Sequence, residues 1–214
     1  MIAYHGRQET KDVYLARVQA HRQADEIIKG KYWVGGKGCA VGCTVHGSDH
    51  AAYEIELGIP RALARLEDGL FERLPNDVAM AWPERFLAAI RPGADLALVW
   101  HRFIIWMLGD AQYGTLRLCD PKAADATRSV IALYQRELDG EKVERKEWYS
   151  AADAARTASA AAAAAARTAS AAAAAYAAAA AADAAYAAAA AAAARSAHCA
   201  RMADKLIELL GDAP

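Results

Sequence analysis

The sequence predicts an all-α protein: a multi-helix globular head over residues 1–145, followed by a long Ala-rich helix or helical hairpin over residues 146–214. Three observations carry that expectation. Of the 50 residues from Ala151 to Ala200, 36 are alanine, the strongest helix former, and no glycine interrupts the chain between Gly140 and Gly211. Ahead of that run, apolar residues recur at helical spacing between stretches punctuated by Pro, Gly and Asn. Only Gly114-Thr115-Leu116-Arg117-Leu118-Cys119 alternates like a strand, and a lone strand has nothing to pair with.

The first helix is expected over Glu9 to Lys29, with Thr10 as N-cap, Val13, Leu15, Val18, Ile27 and Ile28 on its apolar side, and Gly30 as its stop. His5 and His21 read as surface or satisfied core residues. Ser48 or Asp49 caps a short helix from Ala51 to Leu57 that Gly58 ends, and Pro60 opens the next, to Leu74, with Leu63, Leu66, Leu70 and Phe71 at helical spacing. On that helix Arg65, Glu67 and Asp68 are expected to face solvent. Pro75-Asn76-Asp77 marks a turn, and Pro83 opens a helix carrying Phe86, Leu87 and Ile90 up to Arg91-Pro92-Gly93. Ala94 to Leu108 is the most hydrophobic helix and the expected centre of the core, with His101 and Arg102 on a surface strip. A loop follows to Asp120, then a helix from Pro121 to Asp139-Gly140.

The tail needs a different argument. From Ala171 to Ala194 the only charge is Asp183 and the only large side chains are Tyr176 and Tyr186, so no stripe faces a core. The length suits a membrane span, but each alanine contributes one methyl, about 0.8 kcal/mol, which is too little driving force. Close helix packing is the expected use, because small side chains let two backbones approach. Unbroken, Lys146 to Leu210 makes a rod of roughly 98 Å. A fold-back needs a turn, for which only Arg156-Thr157-Ala158-Ser159 and Arg167-Thr168-Ala169-Ser170 offer capping residues. Beyond the alanines, Met202, Leu206, Ile207, Leu209 and Leu210 restore an apolar face that can dock on the head or on a partner chain.

Composition excludes some functions. A net charge of −1 gives no electrostatic case for nucleic acid. The start, Met1-Ile-Ala-Tyr-His-Gly-Arg, lacks the pattern of a signal peptide, and cysteines at 39, 43, 119 and 199 fit free thiols in a reducing cytoplasm.

Chemistry, if present, is expected in residues 35–50. Gly36-Lys37-Gly38 ahead of Gly42 is Gly-rich but fits neither phosphate-loop spacing. Cys39, Cys43, His46 and His50 are zinc-type donors spaced C-x3-C-x2-H-x3-H, offsets that share one face of a continuous helix. One face cannot readily wrap four ligands around an ion. A site would therefore take His46 and His50 with Glu54, or two of the four donors plus residues from elsewhere in the chain. Cys39 or Cys43 beside a helix N-terminus and a histidine would instead be an activated thiol. The plain alternative is packing: glycines permit a tight backbone crossing and buried cysteines fill its gaps.

Two resemblances accompany these patterns. Gly38-Cys-Ala-Val-Gly-Cys43, Leu57-Gly-Ile-Pro-Arg-Ala-Leu-Ala-Arg-Leu-Glu-Asp68 and Trp82-Pro-Glu-Arg-Phe86 resemble segments of a group of bacterial and phage-type proteins that end in Ala-rich helices. The likeness implies that architecture and brings no activity with it. Thr157 and Thr168, 11 residues apart, resemble the Thr-spaced alanine repeat of type I antifreeze proteins, although the next two repeat positions are Ala179 and Ala190. The leading expectation is a non-catalytic cytoplasmic binding protein whose Ala-rich helix packs on a protein partner or a second copy, without a cofactor, nucleic acid or a membrane. The alternatives are a small zinc- or thiol-dependent enzyme centred on residues 35–50, and an ice-binding helix.

Overall fold

A computed structural model describes residues 1–158 and 181–214, and these are mainly helical. In chain order they form α1 (Gln8–Gln23), strands β1 (Trp33–Val34) and β2 (Lys37–Gly38), α2 (Ala40–Val45), α3 (Ala52–Leu57), α4 (Arg61–Arg73), α5 (Asn76–Ala79), α6 (Trp82–Ala89), α7 (Val99–Gly109), α8 (Pro121–Leu138), helical residues 145–158, and α9 (Ala181–Gly211). Between the two described stretches of the tail lie the second Arg-Thr-Ala-Ser tetrad, Thr168 and the choice between rod and hairpin, all outside the described residues. No described helix is long and apolar enough to cross a membrane. The sequence division at 145/146 follows composition; compaction divides the chain elsewhere, into Met1–Trp100 with Ser196–Pro214, and His101–Arg195.

In the first unit α4 packs against α2, α3, α5 and α6, while α1 lies on α2 and α6. Leu63, Leu70, Phe71, Trp82, Phe86 and Leu87 are almost wholly buried, as their helical spacing requires. The helix boundaries follow the expected punctuation at Gly58 (φ +64°), Pro60 and Gly93 (φ +89°). Asp49 contributes at the start of α3, its carboxylate accepting the Ala51 N–H at 2.8 Å. Across the α1–α6 contact, Glu84 accepts from Gln19 at 2.9 Å and from Arg22 at 2.7 Å.

Two helix boundaries need correction, and two further stretches take forms that the pattern did not announce. Helix α1 stops at Gln23 rather than Lys29, because Asp25 turns left-handed (φ +55°) and Ile27 pairs with Gly38. Residues 94–98 are not helical: the Leu96 N–H bonds the Met1 carbonyl at 3.0 Å and the Ala3 N–H bonds the Ala94 carbonyl at 2.9 Å, tying the N-terminus to this stretch. The Gly-rich segment holds a small antiparallel hairpin, with Trp33 opposite Gly38 and Val34 opposite Lys37. Its two turn residues, Gly35 and Gly36, both have positive φ, as a two-residue hairpin turn demands. The alternating stretch at 115–118 is a turn of 3-10 helix.

The C-terminal end of α9 docks on its own unit. Ala203, Leu206, Leu210 and Ala213 are buried, Asp204 pairs with Arg85 at 2.9 Å, and the Asp95 N–H reaches the Pro214 carbonyl at 2.7 Å. In the second unit, Leu133, Val143 and Ala151 form a small core with Val130 and Trp148 packed on it. Arg136 bridges Glu141 and Glu147, and His101 meets Glu137 at 2.8 Å rather than facing open solvent.

Truncating Leu206 to Ala leaves a cavity in a fully buried position, so urea unfolding should show a loss of about 2–5 kcal/mol. An unchanged midpoint would mean that the C-terminal helix contributes nothing to the head.

Candidate metal centre

A close backbone crossing assembles the site. The chain entering β1 passes over the start of α2 so tightly that a Cβ on Gly38 would sit 2.0 Å from the Tyr32 carbonyl oxygen, and one on Gly42 only 1.5 Å from it. No side chain fits at either position. The Cys39 N–H bonds the Lys31 carbonyl at 2.8 Å and the Tyr32 carbonyl at 3.2 Å, fixing Cys39 as the residue that leads into α2. Helix α4 brings Asp68 and Glu72, four residues apart and therefore on one face, to the same place. The Cys39 sulfur and one carboxylate oxygen each of Asp68 and Glu72 lie within 4.8 Å of one another.

His50, on the loop between α2 and α3, lies beside Asp68 of this group. Its Nε2 lies 3.4 Å from Asp68 Oδ2, and its ring meets Tyr32 edge-on at 5.6 Å. Both side chains of the pair are largely buried, at 14% and 15% exposure. Neither His50 Nε2 nor Asp68 Oδ1 has a hydrogen-bond partner. Glu72 is held from outside, its two oxygens accepting the Gly30 N–H at 3.0 and 3.1 Å. Burial pushes the Cys39 thiol up to about 12, with the Asp68 carboxylate adding to the rise against the amides of Gly42 and Val41. The Asp68 charge is also the main cause that raises Tyr32.

That electrostatic setting bears on two chemistries. A nucleophilic cysteine needs a lowered pKa, from a cation or an imidazole against the sulfur. Here a carboxylate stands against the sulfur and the pKa moves the other way. Thiol, imidazole and two carboxylates instead make a mixed donor set of the kind that binds zinc.

The four donors proposed from the sequence separate into three environments. Helix α2 ends at His46, which is left-handed (φ +53°, ψ +41°), so the residues from 39 to 50 do not share a helix face. Cys39 converges with Asp68 and Glu72, and His50 lies beside Asp68. Cys43 turns inward, its thiol donating to the Gly38 carbonyl at 3.3 Å, and burial pushes it up to about 11. His46 faces His21, with the two Nε2 atoms 2.9 Å apart, while His21 Nδ1 meets Glu26 Oε2 at 2.6 Å and Trp33 stacks on His46 at 4.4 Å. Burial first, then the charges of Arg17 and His21, hold His46 below the usual imidazole range. Glu54 instead accepts the Arg61 N–H at 2.9 Å. The sequence missed Asp68, Glu72 and Tyr32, although the i, i+4 carboxylates were visible; Asp68 had been assigned to solvent. Lys37 does not face a phosphate cradle, since its Nζ lies 3.4 Å from the Asp25 carbonyl and the neighbouring glycines are spent on the hairpin turn and the crossing.

Glu67, also expected at the surface, is wholly buried beneath the site. The Tyr53 hydroxyl donates to its Oε2 at 2.6 Å, Trp82 Nε1 donates to its backbone carbonyl at 3.0 Å, and Oε1 has no partner. Burial pushes its carboxyl up to about 8 despite the Tyr53 hydrogen bond, with the Asp68 charge adding to the rise. No protein-family model matches the chain, and no curated protein or solved structure does either.

The raised carboxyl ties stability to pH with a definite sign. The unfolded chain gives up the Glu67 proton near pH 4.5 and the folded chain near pH 8, so this stabilisation is complete below the lower value and is lost as pH rises to the upper one. In chelator-treated protein, urea unfolding between pH 5 and pH 9 should show the wild type losing on the order of 3 kcal/mol more than Glu67→Gln. Parallel curves for the two proteins would place an ionised carboxylate at this position.

Proposed function

We propose that this chain is a non-catalytic binding protein whose head holds a divalent cation, zinc by donor type, through Cys39, His50, Asp68 and Glu72. The observation that carries the reading is the convergence of Cys39, Asp68 and Glu72 within 4.8 Å, beside an imidazole nitrogen and a carboxylate oxygen that lack hydrogen-bond partners. A cation satisfies both orphan atoms at once. It also replaces the thiol proton that burial and Asp68 hold in place.

With His50 beside Asp68 added to the three convergent donors, four protein groups would fill a tetrahedral shell. Catalytic zinc sites keep one position for water or substrate, whereas closed sites contribute folding energy, which favours binding over turnover. The ion would staple the Tyr32 crossing, the α2–α3 loop and α4 together. Free thiols at all four cysteines suit a reducing, cytoplasmic setting. The Ala-rich extension supplies the interaction half of this reading from composition, its methyl-only sides permitting close contact with a protein partner or a second copy.

Cobalt(II) is the direct probe, because a cysteine ligand gives it a thiolate-to-metal charge-transfer band. One equivalent should bind per chain with that band present, Cys39→Ser should abolish the band, and His50→Ala and Asp68→Asn should each weaken binding by about tenfold or more. Zinc at 100 times its dissociation constant should stabilise the folded chain by about 2.7 kcal/mol. A band that survives Cys39→Ser, or no uptake by the wild type, would overturn the assignment.

A further inference from the structure

A second cluster of donors lies apart from the Cys39 centre and plays no part in it. His21, on α1, and His46, at the end of α2, point their Nε2 atoms at each other across 2.9 Å. The remaining nitrogen of His21 is anchored by Glu26 at 2.6 Å, and the carboxylate–histidine contact is the usual support behind a metal-binding imidazole, since it fixes both tautomer and ring orientation. Trp33 stacks on His46 with ring planes 18° apart and meets His21 edge-on at 5.3 Å, so both rings are held in place.

The geometry points to a two-imidazole chelate for a copper(II)-type ion, with His21 and His46 as ligands and Glu26 behind them. Two nitrogens each about 2.0 Å from one ion, at right angles around it, are about 2.8 Å apart, close to the separation already present. A tetrahedral ion would spread them to about 3.3 Å, so the spacing favours the tetragonal preference of copper(II) over zinc. Without an ion the same pair shares one proton in an N–H···N hydrogen bond. On binding, that proton leaves and both lone pairs turn to the metal.

The backbone adds an independent argument. His46 adopts a left-handed conformation that a non-glycine residue takes only at a cost, and its N–H bonds the Gly42 carbonyl at 2.8 Å. Its ring is exposed, leaving room for water or an exogenous ligand at the remaining positions of the ion. The local charge is mixed: Glu26 touches His21, Glu56 acts favourably on His46, and Arg17 opposes a cation there.

The test adds one equivalent of copper(II) to the full-length chain without air and records its electron paramagnetic resonance spectrum. The wild type should give a tetragonal signal with coupling to two nitrogen donors, and a fall in tryptophan emission that Trp33→Phe diminishes. His46→Gly removes one ligand at a position whose backbone glycine adopts freely, so the variant folds and should lose the two-nitrogen signal. Glu26→Gln should weaken copper binding about 10- to 100-fold while His101→Ala, at the histidine paired with Glu137, leaves it unchanged. An unchanged spectrum in His46→Gly, or a signal that His101→Ala removes, would overturn the assignment, and neither result bears on cobalt binding at Cys39.

Discussion

Everything local to the head turns on the contact between the Tyr32 carbonyl and the α-carbons of Gly38 and Gly42. With any side chain at either glycine, the strand entering the hairpin must lift off α2. Cys39 would then lose its two backbone acceptors, and Tyr32 its place beside Asp68 and His50. The same crossing sets Trp33 against His46, since Trp33 follows Tyr32 directly. Two glycines four residues apart thus underlie two groups of donors at the two ends of one short helix.

Beneath that crossing, α4 supplies both the support and the charge. Its successive acidic residues have unlike fates: Glu67 goes inward to Tyr53 and the Trp82 indole, while Asp68 goes to the sulfur and imidazole. The Glu67 carboxyl rises because burial strips it of water and it has only the Tyr53 hydroxyl to compensate. A cation held beside Asp68 would offset charge close to that carboxyl and so couple its binding to the stability of α4.

Much of the helical architecture was legible in the sequence. Pro60, Gly58 and Gly93 punctuate where expected, and Leu63, Leu70, Phe71, Phe86 and Leu87 bury as their spacing requires. What escaped were features set by tertiary pairing. The end of α1 and the 94–98 stretch are fixed by bonds to Gly38 and Met1, partners far away in sequence that periodicity cannot reveal. At the site, the sequence nominated Cys39, Cys43, His46 and His50 and allowed that two of them would act with residues from elsewhere, without saying which two. The help was hidden, because Asp68 and Glu72 look like the polar side of an amphipathic helix unless one knows which face the Tyr32 loop covers. Cys39 is extended at the N-cap while Cys43 sits inside α2, and the left-handed turn at His46 breaks the register with His50, which no spacing rule announces.

X-ray absorption at the zinc edge of the chain mixed with one equivalent of zinc measures directly which atoms touch the ion. It should show one sulfur at about 2.3 Å with nitrogen and oxygen donors at about 2.0–2.2 Å. A shell containing two sulfurs, which would draw Cys43 out of its bond to the Gly38 carbonyl, or a shell containing none, would contradict the centre described here.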